Sequence, residues 1–200
     1  MEKYDDIHKY LFLKSKKYKF LNSIINTNGV LTLCKPNKDF FSCIFHTIVS
    51  QQISNKAAVR IWEKVEYLLK KQKTDIRTYS KNKYYFEILN KIGISKKKLD
   101  YFYLMVKEMD ILDKDEIYYK NLTSENFRKE FKKFKGIGDW SCDMVEIFYF
   151  NRLNVWPSMD LVIHKFSTEM HAKYSFKSNY YEDFKPYKTI LALHLWKFLD

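Results

Sequence analysis

Apolar positions recur at helical spacing along most of the chain. Phe41, Ile44, Phe45, Ile48, Val49 and Gln52 fall at i, i+3, i+4, i+7, i+8 and i+11, which is one helix face. Ser54 suits an N-cap, and after it Ala58, Ile61, Val65, Leu68 and Leu69 repeat the pattern. The stretch KQKTDIRTYS lacks periodicity and reads as a connection. Gly93 can end one helix and Ser95 can cap the next, which carries Leu99, Phe102 and Val106 inward. Phe127, Phe131 and Phe134 form a stripe on a helix running into Gly136 and Gly138, and Met144, Ile147 and Phe148 share a face of the helix that follows. Asn179 with Glu182 resembles a capping box, and Leu191, Leu195 and Phe198 anchor a final helix. There is no alternating strand pattern of convincing length and no tandem repeat, so the expected class is all-α.

Composition narrows this. With 200 residues, 46% of them hydrophobic, the chain can bury the core of one domain or of two small lobes. It holds only 4 glycines and 3 prolines, so the glycines at 136 and 138 and the proline at 157 stand out. Lys+Arg is 36 against 24 Asp+Glu, a formal net charge of +12 spread along the whole sequence. That excess has two readings, a solvated basic surface or a polyanionic partner such as nucleic acid. Cys34, Cys43 and Cys142 form no CxxC pair and the five histidines lack convergent spacing, so no metal site is expected. Free thiols point to a reducing compartment. No apolar run reaches membrane-spanning length, and the opening MEKYDDIHKY has no signal-peptide core.

Helix, then Lys-Gly-Ile-Gly, then helix predicts a tight hairpin. Gly136 and Gly138 permit positive φ and leave backbone N–H groups uncovered, while Ile137 points to the core. Those N–H groups and the following helix N-terminus make a small anion site, for which a DNA phosphate is the natural occupant in a basic protein. Gly-hydrophobic-Gly between helices also occurs as a plain tight turn. Asp160, just past Pro157 and before an apolar helical run, reads equally as a helix cap or as a carboxylate aimed into a cleft.

Five stretches, in order, resemble the helix-hairpin-helix DNA glycosylase superfamily: IFHTIVSQQISNKAA, GISKKKLDYF, FKGIGDW, VWPSMDLVIHKF and FKPYKTILALHLW. They span roughly residues 38 to 198, and the last is similar to the 3-methyladenine DNA glycosylase II branch. The resemblance implies two helical lobes, one about 38–155 and the other about 1–37 plus 156–200, with the active-site cleft between them. It implies that Asp160 is the catalytic carboxylate and that Trp140, Trp196 and Met144 line the base pocket. Lys135, Gly136, Ile137 and Gly138 would grip the DNA backbone, and Gln52 would be the wedge filling the gap left by the flipped base. No cofactor is expected beyond a monovalent cation that hairpin carbonyls could hold. The sequence departs from the family in three places. Lys135 stands where a proline is common, Asp139 where a basic residue is frequent, and Trp140 where lyase-active members carry a nucleophilic lysine. The implied protein is a monomeric, monofunctional glycosylase. It would act in base excision repair on alkylated purines in double-stranded DNA, in a nucleus or a bacterial cytoplasm. Two other readings stay open: a monofunctional glycosylase for deaminated or oxidised bases, and a non-catalytic helix-hairpin-helix DNA-binding module.

Overall fold

Residues 2–34 and 37–199 are described in a computed structural model of the chain. They form helices α1 (Glu2–Ser15), α2 (Lys19–Asn28), α3 (Phe40–Ser50), α4 (Asn55–Gln72), α5 (Ile76–Ser80) and α6 (Lys83–Lys91). There follow α7 (Lys96–Ile111), α8 (Glu116–Asn121), α9 (Ser124–Phe131), α10 (Asp139–Phe148), α11 (Leu161–Tyr174), a 3-10 turn at Tyr180–Phe184, and α12 (Lys188–Leu199). No strand occurs among the described residues. A chain poor in glycine and proline starts its helices with side chains. Asp39, Ser54, Asp75, Asn82, Ser95, Asp115, Thr123 and Asp160 each precede a helix and accept an N–H from its first turn.

The chain divides into two compact units, Met1–Lys35 with Glu146–Asp200, and Pro36–Val145. In the first, α1 and α12 pack on α2, and α11 packs on α12. Its core gathers Ile7, Leu11, Leu21, Ile25, Phe166, Phe184, Leu191 and Leu195. In the second, α3 packs against α4, α5 and α7, burying Phe45, Ile48, Val65, Phe102 and Val106. The phenylalanine stripe leading to the glycines is fully buried there, with Phe127 and Phe131 stacked at 4.8 Å between ring centroids.

Three local expectations need correction. KQKTDIRTYS contains α5, a single helical turn that Asp75 caps and that buries Ile76 and Tyr79. Its periodicity is too short to read, but its cap and two apolar residues suffice. Asn179 makes no side-chain cap bond; Glu182 instead accepts from Lys185 and Lys188, whose ammonium groups hold its carboxyl below the usual range. Gln52 is not on the α3 face, because the helix stops at Ser50 and Gln52 takes up a left-handed backbone with φ 58°.

One buried group limits the pH range of the fold. His194 on α12 is fully buried, and neither ring nitrogen has a hydrogen-bond partner among the described residues. Burial first, then the nearby His8 and Lys197, push its pKa down from 6.5 to about 3. The unfolded chain therefore takes up this proton first, and stability that is intact above pH 6.5 is lost as the pH falls toward 3. Between pH 6.5 and pH 5 the loss from this one group is about 2 kcal/mol. Urea denaturation of His194→Leu at the two pH values should show a smaller fall in stability than wild type. An identical fall in both proteins would show that His194 titrates normally.

Candidate active site

The hairpin depends on its first glycine. Gly136 has φ 88°, and a Cβ built on it would lie 2.1 Å from the Tyr101 ring of α7. Only glycine meets both conditions. Lys97 and Lys135 lie over the same ring, at 5.7 and 5.9 Å from its centre. Gly138 differs from expectation. Its backbone is not left-handed, and a Cβ there would meet nothing within 4 Å. Ile137 is buried as expected, but its N–H is used inside the turn, donating to Phe134 O at 3.1 Å. The N-terminus of α10, where helix geometry leaves first-turn N–H groups pointing outward, adds donors to this turn for an anion. Asp139 at that end is offset by Lys132 at 2.9 Å and Arg128 at 3.8 Å. The carbonyls of Phe134, Gly136 and Gly138 already accept protein donors. A monovalent cation held by these three carbonyls would use their second lone pairs.

The turn after α3 is tied to this hairpin by a residue that sequence reasoning passed over. Gln51, not Gln52, turns inward: its Nε2 donates to Gly136 O and to Ser141 Oγ, both at 2.9 Å. Gln52 is left exposed. Two adjacent glutamines at a helix end look alike in sequence, and only the stopping point of α3 decides which one faces in.

Trp140 and Met144 occupy one stripe of α10 by their i, i+4 spacing, Trp140 half-buried and Met144 buried. Phe148 continues the stripe at i+8. It is 45% exposed and stacks on Trp196 of α12, with ring centroids 5.8 Å apart and planes at 29°. Extending the Trp140–Met144 spacing by one turn would have found it.

Asp160 is both a cap and more than a cap. Its Oδ1 accepts from Val162 N at 3.1 Å and Ile163 N at 3.2 Å, and also from the Trp196 indole N–H at 3.1 Å. The loop before it is fixed by Thr189 of α12. The Thr189 hydroxyl accepts from Val155 N at 3.0 Å and donates to Arg152 O at 2.7 Å. Trp156 lies flat on Tyr181, 4.6 Å between centroids, and Asp160 N closes a turn onto Pro157 O at 3.0 Å. The carboxylate is thus aimed by backbone, hydroxyl and indole together. Met159 and Leu161 on either side of it are 64% and 82% exposed. The sequence candidates therefore fall into two groups. Asp160 and Trp196 meet in one unit. Lys135, Gly136, Ile137, Gly138, Trp140, Met144 and Gln52 belong to the other.

No family model matches the chain. Among curated proteins it is similar to DNA-3-methyladenine glycosylase 1 of Schizosaccharomyces pombe, 27% identical over 172 residues that cover 80% of this chain and 72% of that one. Among solved structures it is similar to the 3-methyladenine DNA glycosylase of the same yeast in complex with abasic DNA. The TM-score is 0.74 at 22% identity, over 96% of this chain and 95% of that one. It is also similar to a Clostridium acetobutylicum 8-oxoguanine glycosylase/lyase bound to double-stranded DNA. There the TM-score is 0.71 at 13% identity, over 96% of this chain and 69% of that one. The chain is thus similar in sequence to a DNA-3-methyladenine glycosylase and shares the all-helical fold of these DNA glycosylase structures.

Proposed function

We propose that this chain is a monofunctional DNA glycosylase that flips an alkylated purine out of double-stranded DNA and hydrolyses its N-glycosidic bond. The observation that carries the proposal is the Asp160 carboxylate, held on one oxygen by two backbone N–H groups and the Trp196 indole, beside the Phe148–Trp196 aromatic stack. The name of the yeast relative agrees with it.

A purine methylated on a ring nitrogen is cationic, and aromatic faces attract cations. Its glycosidic bond breaks with both electrons leaving on the base, and the sugar becomes oxocarbenium-like. A fixed anion facing C1′ stabilises that charge and takes a proton from the attacking water. Because the base is already a good leaving group, no strong general acid is required. By the resemblance, the reading also assigns Trp140 and Met144 to contact with the flipped base. It assigns Gln52 the place of that base in the stack, at an unstacking cost of a few kcal/mol. Lys135, Ile137 and the two glycines serve the phosphate grip. Trp140 has no amine to attack the sugar, so the strand is left uncut. No helix among the described residues is long and apolar enough to cross a membrane.

The test is excision from duplexes carrying 7-methylguanine, a stable 3-methyladenine analogue, ethenoadenine, hypoxanthine, 8-oxoguanine or uracil. Release of the methylated purines with an intact abasic strand, and no borohydride-trapped adduct, is expected. Asp160→Asn should bind DNA normally and lose about 10²–10⁴-fold in rate. Release of only uracil or 8-oxoguanine would move the protein to a different substrate class, and no release at all would leave a DNA-binding module.

The two glycines should separate under mutation. Gly136→Ala forces a side chain into a left-handed backbone and the Tyr101 ring, and should cost roughly 3 kcal/mol of stability. Gly138→Ala should leave stability within about 0.5 kcal/mol yet weaken DNA binding, because a Cβ there obstructs only a phosphate. Thermal melts and binding titrations on the same samples check both; unchanged affinity in Gly138→Ala would remove it from the grip.

Trp196→Phe keeps an aromatic face and deletes the N–H that reaches Asp160. Single-turnover excision should slow by about threefold to tenfold. In an Asp160→Asn background the same change should have a smaller effect, since the carboxylate it orients is gone. A full, additive loss there would mean that Trp196 acts only through the base.

A further inference from the structure

Lys98, on the first turn of α7, faces the end of α3. Its Nζ donates to Val49 O and to Gln51 O, both at 2.8 Å. Helix C-termini leave carbonyls without partners, and a lysine from another element satisfies two of them here. The group is half-buried, and burial lowers its pKa, so it is held where its charge is costly unless bonded. On the far side of the same turn, the Gln51 amide reaches Gly136 O and Ser141 Oγ. Between these anchors the next residue, Gln52, adopts φ 58°, which costs a non-glycine residue free energy. A strained residue persists only where its surroundings over-determine it, and here the surroundings are Lys98 and Gln51.

We propose that Lys98 and Gln51 are positioning residues that bolt the Gln52 turn to the hairpin, so that phosphate capture at the hairpin fixes where Gln52 enters the duplex. The proposal rests on reading Gln52 as the wedge and the hairpin as the phosphate grip. The brace touches neither base nor sugar. Its effect appears after binding, when the wedge must replace the flipped base in register. A wedge displaced by an ångström can slow the following step by about 10²-fold without altering non-specific affinity.

The experiment compares Lys98→Met, Gln51→Leu and Gln52→Ala, singly and combined, in the full chain. Three readouts are taken: the dissociation constant for undamaged duplex, the single-turnover rate on a 7-methylguanine duplex, and the fluorescence of 2-aminopurine next to an abasic analogue. Lys98→Met and Gln51→Leu should each change undamaged-duplex affinity by less than about threefold and slow excision by about 10- to 100-fold. Each should also lose most of the 2-aminopurine signal. Added to Gln52→Ala, neither should slow the reaction much further, because the group they position is absent. Rates that multiply through in the double variants, or flipping signals equal to wild type, would overturn the proposal. If Lys98→Met does not fold, Gln51→Leu decides the matter alone. The fluorescence needs no excision. A wild-type protein that flips but releases no methylated purine would remove the substrate reading and leave the brace standing, provided the variants lose the signal. A wild type without the signal would overturn the brace itself.

Discussion

The constraint on which the hairpin-bearing unit depends is the seating of Gly136 on the Tyr101 ring. A backbone pressed directly against an aromatic face leaves no freedom in where the hairpin turns. That contact sets the start of α10, and so the direction in which its first-turn N–H groups and Trp140 are presented. Lys97 and Lys135 share the same ring, which holds two cations beside the turn while their charges stay in water. Asp139 would otherwise set a negative charge at the same helix end, but its pairing with Lys132 and Arg128 offsets it. The acid is thereby spent on holding two basic side chains in place rather than on repelling a phosphate.

Asp160 illustrates why a capping role and a chemical role do not compete. Capping requires an oxygen fixed against the first N–H groups of a helix, and catalysis by a carboxylate requires the same fixity. In the proposed mechanism the cap would orient the group without a conformational cost at the moment of reaction. Thr189, through the loop, and Trp196, through its indole N–H, add constraints from another helix. The rigidity of the carboxylate is therefore a property of the whole α11–α12 pair.

Much of this was legible in the chain, because helices announce themselves through apolar period and side-chain caps. Ser54 and Ser95 cap the helices they were expected to cap, and the phenylalanine stripe at 127, 131 and 134 is buried as its spacing required. The misreadings have different causes. α5 is one turn long and cannot display a period. Gln52 and Gln51 differ only by where a helix stops, and the carbonyls at that stop are taken up by Lys98 from a distant segment. Gly138 looked equivalent to Gly136, yet only Gly136 has a neighbour that a side chain would strike. For Gln51 and Gly136 the deciding contact comes from a segment distant in sequence, and local pattern carries no trace of it.

The three thiols are unequal in a way that bears on the chemical environment such a protein would meet. Cys43 is buried and its pKa is pushed up to about 12, chiefly by burial, so it stays protonated at any physiological pH. Cys142 is fully buried. Cys34 is exposed. Methylating electrophiles that modify purines also modify sulfur, and they react with accessible thiolates. Of the three thiols, the fold therefore leaves one open to the agents that create alkylated bases and buries the other two.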